Sequence, residues 1–106
     1  MLDWQYRIWY HFGAAGPVIE TKRLQRLFDR VWDTRKNCDF ADVRRLLVAI
    51  GFQWRQGRGS HVVFRLDRWW LVIPRRNPVG IEYVVEAIGA AKEILQHGKE
   101  RKEEDR

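Results

Sequence analysis

The chain has 106 residues, of which 45% are hydrophobic and six are tryptophan. This length fits one domain with a modest core and excludes a multidomain enzyme, and the apolar content excludes a wholly disordered chain. The formal net charge is +6 and the sequence pI is about 10.0. A basic balance of this kind indicates a nucleic acid or an acidic protein as partner.

The excess charge is concentrated in residues 53–76, which contain six arginines and one aspartate for a net charge of +5. Residues 99–106 hold four basic and four acidic side chains, so their charges cancel. The basic stretch coincides with the predicted sheet, which is therefore expected to carry the positive surface. Arginines that are merely solvated, with no partner, are the alternative.

Cysteine content and hydropathy indicate the compartment. Cys38 is the only cysteine, so no intramolecular disulfide can form, which favours a reducing cytoplasm. No apolar run approaches the roughly 20 residues that a membrane span needs. Asp3, Arg7 and His11 interrupt the apolar stretch that a signal peptide would require. We therefore expect a cytoplasmic protein with no membrane association.

Residues 1–20 are rich in aromatic side chains and run into the Gly/Pro cluster at residues 13–17, which punctuates the chain. These aromatic side chains could pack on the domain or contact a partner. We favour an N-terminal extension without fixed structure. The remaining boundaries are a single domain over residues 21–98, with its core at 39–96, and a charged tail over 99–106.

Two helices are predicted before the sheet. Apolar residues at helical spacing predict a first helix over 22–35, with the stripe Leu24, Leu27, Phe28, Val31 and Trp32. Asp39 is a good N-cap for a second helix, which Gly51 ends. The buried stripe of this second helix is Phe40, Val43, Leu47 and Ile50.

Three short strands follow. In the first, Phe52 and Trp54 alternate with Gln53 and Arg55, and residues 56–59 form a tight turn. In the second, Ser60 to Leu66, one face carries Val62, Phe64 and Leu66 and the other carries His61, Val63 and Arg65. The third, Trp69 to Ile73, is apolar on both faces, so its register stays open. Of the adjacent Trp69 and Trp70, only one can face outward, where it could stack on a base.

The closing helix is predicted to start at Asn77 as N-cap, with Pro78 in the first helical position. Its apolar stripe is Ile81, Val84, Val85, Ile88 and Leu95. Gly98 is the predicted end of the helix. Residues 99–106 are expected to fray or to be disordered.

The order of elements is an extra N-terminal helix followed by α-β-β-β-α. It predicts an α+β fold in which a three-stranded antiparallel sheet has its helices on one face and leaves the other open. Strand alternation places His61 and Arg65 on the open face, with Arg55 of the neighbouring strand beside them. The side chains that face the helices are Phe52, Trp54, Val62 and Phe64.

Over about residues 39–96 the chain resembles the HicA (YcfA-like) family of bacterial and archaeal toxins. The matching segments stand in the family's order and spacing: Asp39-Phe40-Ala41-Asp42-Val43-Arg44-Arg45-Leu46-Leu47, Gly51-Phe52, Gly59-Ser60-His61-Val62-Val63-Phe64 and Ile73-Pro74-Arg75. The first helix and the aromatic N-terminus lie outside the minimal family domain.

The resemblance implies a double-stranded-RNA-binding-like fold and an mRNA interferase, an endoribonuclease toxin that requires a single motif histidine. It also implies a HicB-like antitoxin that covers the active site. Carried over by position, the motif histidine is His61, and Gly59 and Ser60 are its motif neighbours.

Histidine and arginine together suit proton transfer on a polyanion. A neutral imidazole of His61 can take the proton of a ribose 2′-OH, which then attacks the adjacent phosphate. Arginines stabilise charge on the phosphoryl oxygens. The candidate RNA contacts are Arg55, Arg58, Ser60, Arg65, Arg68, Arg75 and Arg76. Three scattered histidines and one cysteine do not make a metal-ligand set, so no metal and no other cofactor is expected.

Three functions from different classes follow from these observations. The first is a HicA-like, metal-independent ribonuclease toxin, with mRNA and a HicB-like antitoxin as partners. The second is a non-catalytic RNA-binding module of the same fold, which would bind RNA without cleaving it. The third is a basic protein-interaction domain, which would bind RNA only weakly at physiological salt. Neither RNA preference nor oligomeric state follows from the sequence.

Overall fold

A computed structural model describes the backbone of residues 21–104 and the side chains of residues 22–96. The elements are α1 Thr21–Asp33, α2 Phe40–Ile50, β1 Gln53–Gln56, β2 His61–Leu66, β3 Trp69–Pro74 and α3 Ile81–Glu104. This order confirms the predicted α+β fold with a helix ahead of an α-β-β-β-α unit. The predictions for the N-terminal extension lie outside the described residues.

The sheet has the strand order β1-β2-β3, and both strand pairs are antiparallel. Pairing settles the register of β3, because Leu71 lies opposite Phe64 and Ile73 lies opposite Val62. The loop between β2 and β3 has two residues. Its first residue, Asp67, has a φ of 53°, a left-handed conformation that a short polar side chain tolerates.

The core lies between one face of the sheet and the helices. The sheet contributes the buried side chains Val62, Phe64, Leu71 and Ile73, and the helices contribute Val31, Phe40, Val43, Leu46, Leu47, Val84, Ala87 and Ile88. The opposite face, called the open face below, carries Gln53, Arg55, His61, Val63, Arg65, Trp70, Val72 and Pro74. His61 and Arg65 therefore share this face, as the alternation predicted.

A buried carboxylate ties α1 to α2. Asp42 is 6% exposed, and it accepts hydrogen bonds of 2.9 Å from Arg30 Nε and from Arg45 Nη1. The hydrogen bond with Asp42 and its negative charge raise the pKa of the Arg30 guanidinium. Both oxygens of the carboxylate are thus paired, as a buried charge requires.

The start of α3 differs from the prediction. The helix begins at Ile81, after a cis peptide bond between Asn77 and Pro78, so Asn77 is not its N-cap. Instead, Asn77 Oδ1 accepts a hydrogen bond of 2.7 Å from the Phe40 backbone N–H at the start of α2. Asp39 holds the N-cap position of α2 with an extended backbone, but its side chain makes no capping hydrogen bond.

The apolar stripe predicted for α3 is partly wrong. Val84 and Ile88 are buried, whereas Ile81, Val85 and Leu95 are 43%, 53% and 38% exposed. The small side chains of Ala87, Ala90 and Ala91 take their place in the interface and let the helix approach its neighbours closely. The buried face of α3 therefore combines Val84 and Ile88 with three alanines.

The predicted end of α3 at Gly98 is also wrong, because the helix continues to Glu104. The residues after Gly98 are mostly Lys, Glu and Arg, which favour helix, and one glycine costs only about 1 kcal/mol. No helix in the described part of the chain, this one included, has the length and hydropathy to cross a membrane.

The predicted stripe of α1 also needs one correction. Val31 is fully buried, but Trp32 is 41% exposed and leaves the core. Its ring contacts two cations, with Arg35 Cζ at 4.0 Å and Lys92 Nζ at 5.3 Å from the ring centroid. The indole thus links α1 to the solvent side of α3 through cation–π contacts.

Candidate functional site

His61 is the first residue of β2, and its side chain is exposed. Its Nδ1 lies 3.1 Å from the Arg58 carbonyl oxygen. A carbonyl only accepts, so this contact is a hydrogen bond when Nδ1 carries the proton. In the neutral ring Nε2 is then the unprotonated nitrogen, and it has no partner among the described residues. The backbone thus selects the tautomer in which Nε2 can accept a proton.

The turn between β1 and β2 holds the Arg58 carbonyl in place. Gln56 Nε2 donates to the Gly59 and His61 carbonyl oxygens at 2.9 and 3.2 Å, and the Gly57 N–H donates to the His61 oxygen at 2.8 Å. Gly59 has a φ of 62°, a conformation that glycine adopts without strain. A Cβ on Gly57 would lie 3.2 Å from the His61 oxygen, so this position also favours glycine.

Arg75 joins this end of the sheet from β3. His61 pairs with Pro74, and the Arg75 N–H donates a hydrogen bond of 2.6 Å to the Ser60 oxygen. Arg58, Gly59, Ser60, His61 and Arg75 are called the His61 site below. Arg76 follows directly in the chain and is exposed. The sequence alone could not predict that the backbone of Arg75 lies beside that of Ser60, directly before His61, because the register of β3 was open.

The other predicted arginines lie farther along the sheet. Arg65 is four residues from His61 on the same strand, a separation of about 13 Å. Its Nη2 donates to Gln53 Oε1 at 3.3 Å. Arg55 lies between them in register, opposite Val63. Arg68 occupies the loop at the far end of β2. One phosphate cannot reach both His61 and Arg65, but a strand of several nucleotides can.

Of the adjacent Trp69 and Trp70, Trp70 faces outward. It is 52% exposed and lies opposite Arg65 in the register, whereas Trp69 is partly buried against the core. The expectation that only one of the two indoles faces outward is therefore confirmed. An aromatic face beside an arginine suits base stacking on the same surface that carries His61.

Arg44 is a site residue that the sequence reasoning missed. Its Cζ lies 5.4 Å from the Trp54 ring centroid and 6.0 Å from that of Phe40. Arg75 Cζ lies 5.7 Å from the same Phe40 centroid. The spacing of Phe40 and Arg44, four residues apart on one helix, was the signal in the sequence. That spacing alone does not identify a site residue, because only the structure shows that Arg75 contacts the same ring.

Cys38 is not part of this surface. It is fully buried, and burial raises the pKa of its thiol above the ordinary value. A buried thiol with a raised pKa is a poor nucleophile. Among residues 21–96, no three or more His, Cys, Asp or Glu side chains come together as a potential metal site.

The His61 site combines an exposed imidazole with an exposed arginine, Arg58, in the adjacent turn, an arrangement suited to proton transfer beside a bound anion. No family model matches this chain, and neither does any curated protein or solved structure.

Proposed function

We propose that this protein is a HicA-like endoribonuclease toxin of a type II toxin–antitoxin system, which cleaves mRNA with His61 and without a metal ion. The observation that carries the proposal is the exposed His61 imidazole, whose Nδ1 lies 3.1 Å from the Arg58 carbonyl oxygen, a contact that leaves Nε2 as the nitrogen able to accept a proton. The Gly-Ser-His segment, the preceding helix and Gly-Phe, and the Pro-Arg end of β3 support it through their resemblance to the HicA family.

The reaction is an internal transesterification. Nε2 of His61 takes the proton of a ribose 2′-OH, and the 2′-oxygen bonds to the adjacent phosphorus. The bond from phosphorus to the 5′-oxygen breaks, and that oxygen takes up a proton from the imidazolium or from water. The products are a 2′,3′-cyclic phosphate and a 5′-hydroxyl end. Arg58, three residues before His61 in the turn, would stabilise charge on the phosphoryl oxygens.

The protein partner in this proposal is a HicB-like antitoxin with acidic groups. It would cover the His61 site, since an antitoxin must block the catalytic residue. Charge complementarity with a basic surface favours acidic side chains on the partner. RNA and the antitoxin are therefore expected to compete for the same surface.

The test uses the full chain and a single-stranded RNA, with excess EDTA throughout. Cleavage should persist and should yield cyclic phosphate and 5′-hydroxyl ends, and a 2′-deoxy nucleotide at the cut should block it. Dependence on a metal, or cleavage at the deoxy position, would exclude this chemistry. RNA that is bound but never cleaved would favour the binding module, and binding too weak to measure at physiological salt would favour the protein-interaction domain.

A further inference from the structure

Arg75 of the His61 site also meets Arg44, on the helix-covered side of the sheet, where both guanidinium groups lie near the Phe40 ring. We propose that Arg44 and Arg75, held over Phe40, bind a phosphate that neighbours the one cleaved at His61. The RNA strand would then cross the end of the sheet, from the open face to the start of α2. This inference rests on the proposed function and adds the path of the substrate.

The position of Arg75 connects the two faces. Pro74 lies on the open face opposite His61, and the next residue points to the other side, where its guanidinium meets Phe40 of α2. The backbone of Arg75 is hydrogen-bonded to Ser60, directly before the histidine. Arg75 therefore lies at the same end of the sheet as His61, with its side chain on the other face.

Arg44 brings a second positive charge to the same ring. Its guanidinium lies within 6.0 Å of the centroid of Phe40, and that of Arg75 lies within 5.7 Å. Phe40 is 4% exposed and packs against Phe64, with ring centroids 6.2 Å apart, so it is a fixed platform. A cation–π contact of this kind favours a guanidinium near the ring and leaves its N–H groups available to an anion.

The neighbouring arginine on α2 shows the contrast. Arg45 is ion-paired with Asp42 at 2.9 Å and has a structural role. Neither Arg44 nor Arg75 has a carboxylate within ion-pair distance among the described side chains. Two like charges on one ring repel each other, and a bound anion relieves that repulsion. Phosphate fits because arginine presents paired N–H donors to its oxygens.

Binding of a short RNA, followed by fluorescence anisotropy on the His61→Ala background to prevent cleavage, tests the pair. Arg44→Gln and Arg75→Gln should each weaken binding roughly tenfold, the loss expected for a charge-assisted contact. Arg26→Gln is the matched control, because it makes the same charge change on α1, and it should bind like the parent. Arg44→Lys should recover only part of the affinity, since lysine lacks the planar donor pair. Circular dichroism and thermal melting check that each variant is folded.

A scan of single neutral methylphosphonate linkages locates the contact. A methylphosphonate at the linkage next to the cleaved one should weaken binding to the His61→Ala protein. It should have little further effect when Arg44→Gln is also present, because the contact is already lost. Affinities of Arg44→Gln equal to those of Arg26→Gln, or equal losses at every linkage, would overturn the inference. So would an effect of Arg44→Gln on antitoxin binding alone, which would assign the pair to an acidic protein.

Two outcomes separate this inference from the proposed function. If the unmodified chain cleaves RNA but Arg44→Gln binds and cleaves normally, the proposed function stands and the substrate path is wrong. If the unmodified chain neither binds nor cleaves RNA, both are wrong.

Discussion

The side chain of Asn77 caps a helix that begins 37 positions earlier in the chain, through the 2.7 Å hydrogen bond from the Phe40 N–H to Asn77 Oδ1. A second hydrogen bond lies next to it, in which the Val79 N–H donates to the Cys38 oxygen at 2.8 Å. The connection between β3 and α3 thereby fixes the start of α2. This fixes Phe40, the ring on which Arg44 and Arg75 meet.

Asn77→Ala should lower the free energy of unfolding by about 1 kcal/mol, because it removes the side chain that caps the first turn of α2. Urea denaturation measures this loss. Asn37→Ala is the matched control, since the backbone N–H of Asn37, not its side chain, makes the described hydrogen bond. Equal stability of the two variants would mean that the cap contributes nothing.

His61→Ala should reduce the rate of RNA cleavage by about 10²–10⁴, the usual contribution of a general acid–base group. The exposed side chain buries little surface, so the melting temperature and most of the RNA affinity should be retained. Single-turnover cleavage and anisotropy measure the two quantities separately. Undiminished cleavage by this variant would remove the imidazole from the mechanism.

Gly59→Ala should lower the free energy of unfolding by about 1–2 kcal/mol, because a side chain strains the left-handed backbone at a φ of 62°. The space around this position is open, so no steric clash contributes. Gly59→Asn should cost less, since asparagine tolerates this conformation. The same order of losses is expected in cleavage, because the turn holds the Arg58 carbonyl against His61. A reversed order would argue against backbone strain as the cause.

RNA affinity should fall steeply with salt, with a log–log slope of about −0.7 for each phosphate contact on a single strand. Arg65→Gln and Arg55→Gln should each flatten the slope by about that amount. Arg26→Gln on α1 changes the net charge equally and should leave the slope unchanged. A uniform effect of all three variants would indicate net charge rather than specific contacts.

The buried Cys38 predicts an alkaline loss of stability. Its pKa is raised in the folded protein, so the unfolded chain alone ionises above the ordinary thiol pKa of about 8.5. The contribution of this group to the free energy of unfolding is complete below that pH and declines as the pH rises toward the raised pKa of the folded protein. Urea titrations at pH 7 and pH 9.5 should show this extra decline relative to Cys38→Ala. Parallel declines in the two proteins would contradict it.

Alternation within a single strand was sufficient to predict which face carries His61. The pattern of Val62 and Phe64 against His61 and Arg65 needs no tertiary information, because only one parity buries the apolar set. In β3, Trp70 and Val72 are as apolar as Leu71 and Ile73, so alternation does not show which of the two sets faces the core. Only the pairing with β2 shows which set faces the core, so the position of Arg75 relative to His61 could not be derived from the sequence.

The apolar stripe predicted for α3 was partly wrong for a different reason. Periodicity weights large apolar side chains, and Ile81, Val85 and Leu95 fit one stripe of the helix. The buried face of α3 instead carries Ala87, Ala90 and Ala91 around Val84, because close packing depends on how near two backbones can come. The capping role of Asn77 was missed because its partner lies in a distant element, whereas cap patterns consider only the adjacent helix.

The order of strands in the sheet is the order of strands in the chain, and this has a kinetic consequence. Both hairpins close over short loops, so the whole sheet can assemble through local contacts with a small entropic penalty. The contacts between α1 and α3 are different, because they join segments on either side of the entire meander. We expect these two helices to dock after the rate-limiting step, so that Val31→Ala mainly accelerates unfolding, whereas Phe64→Ala also slows folding.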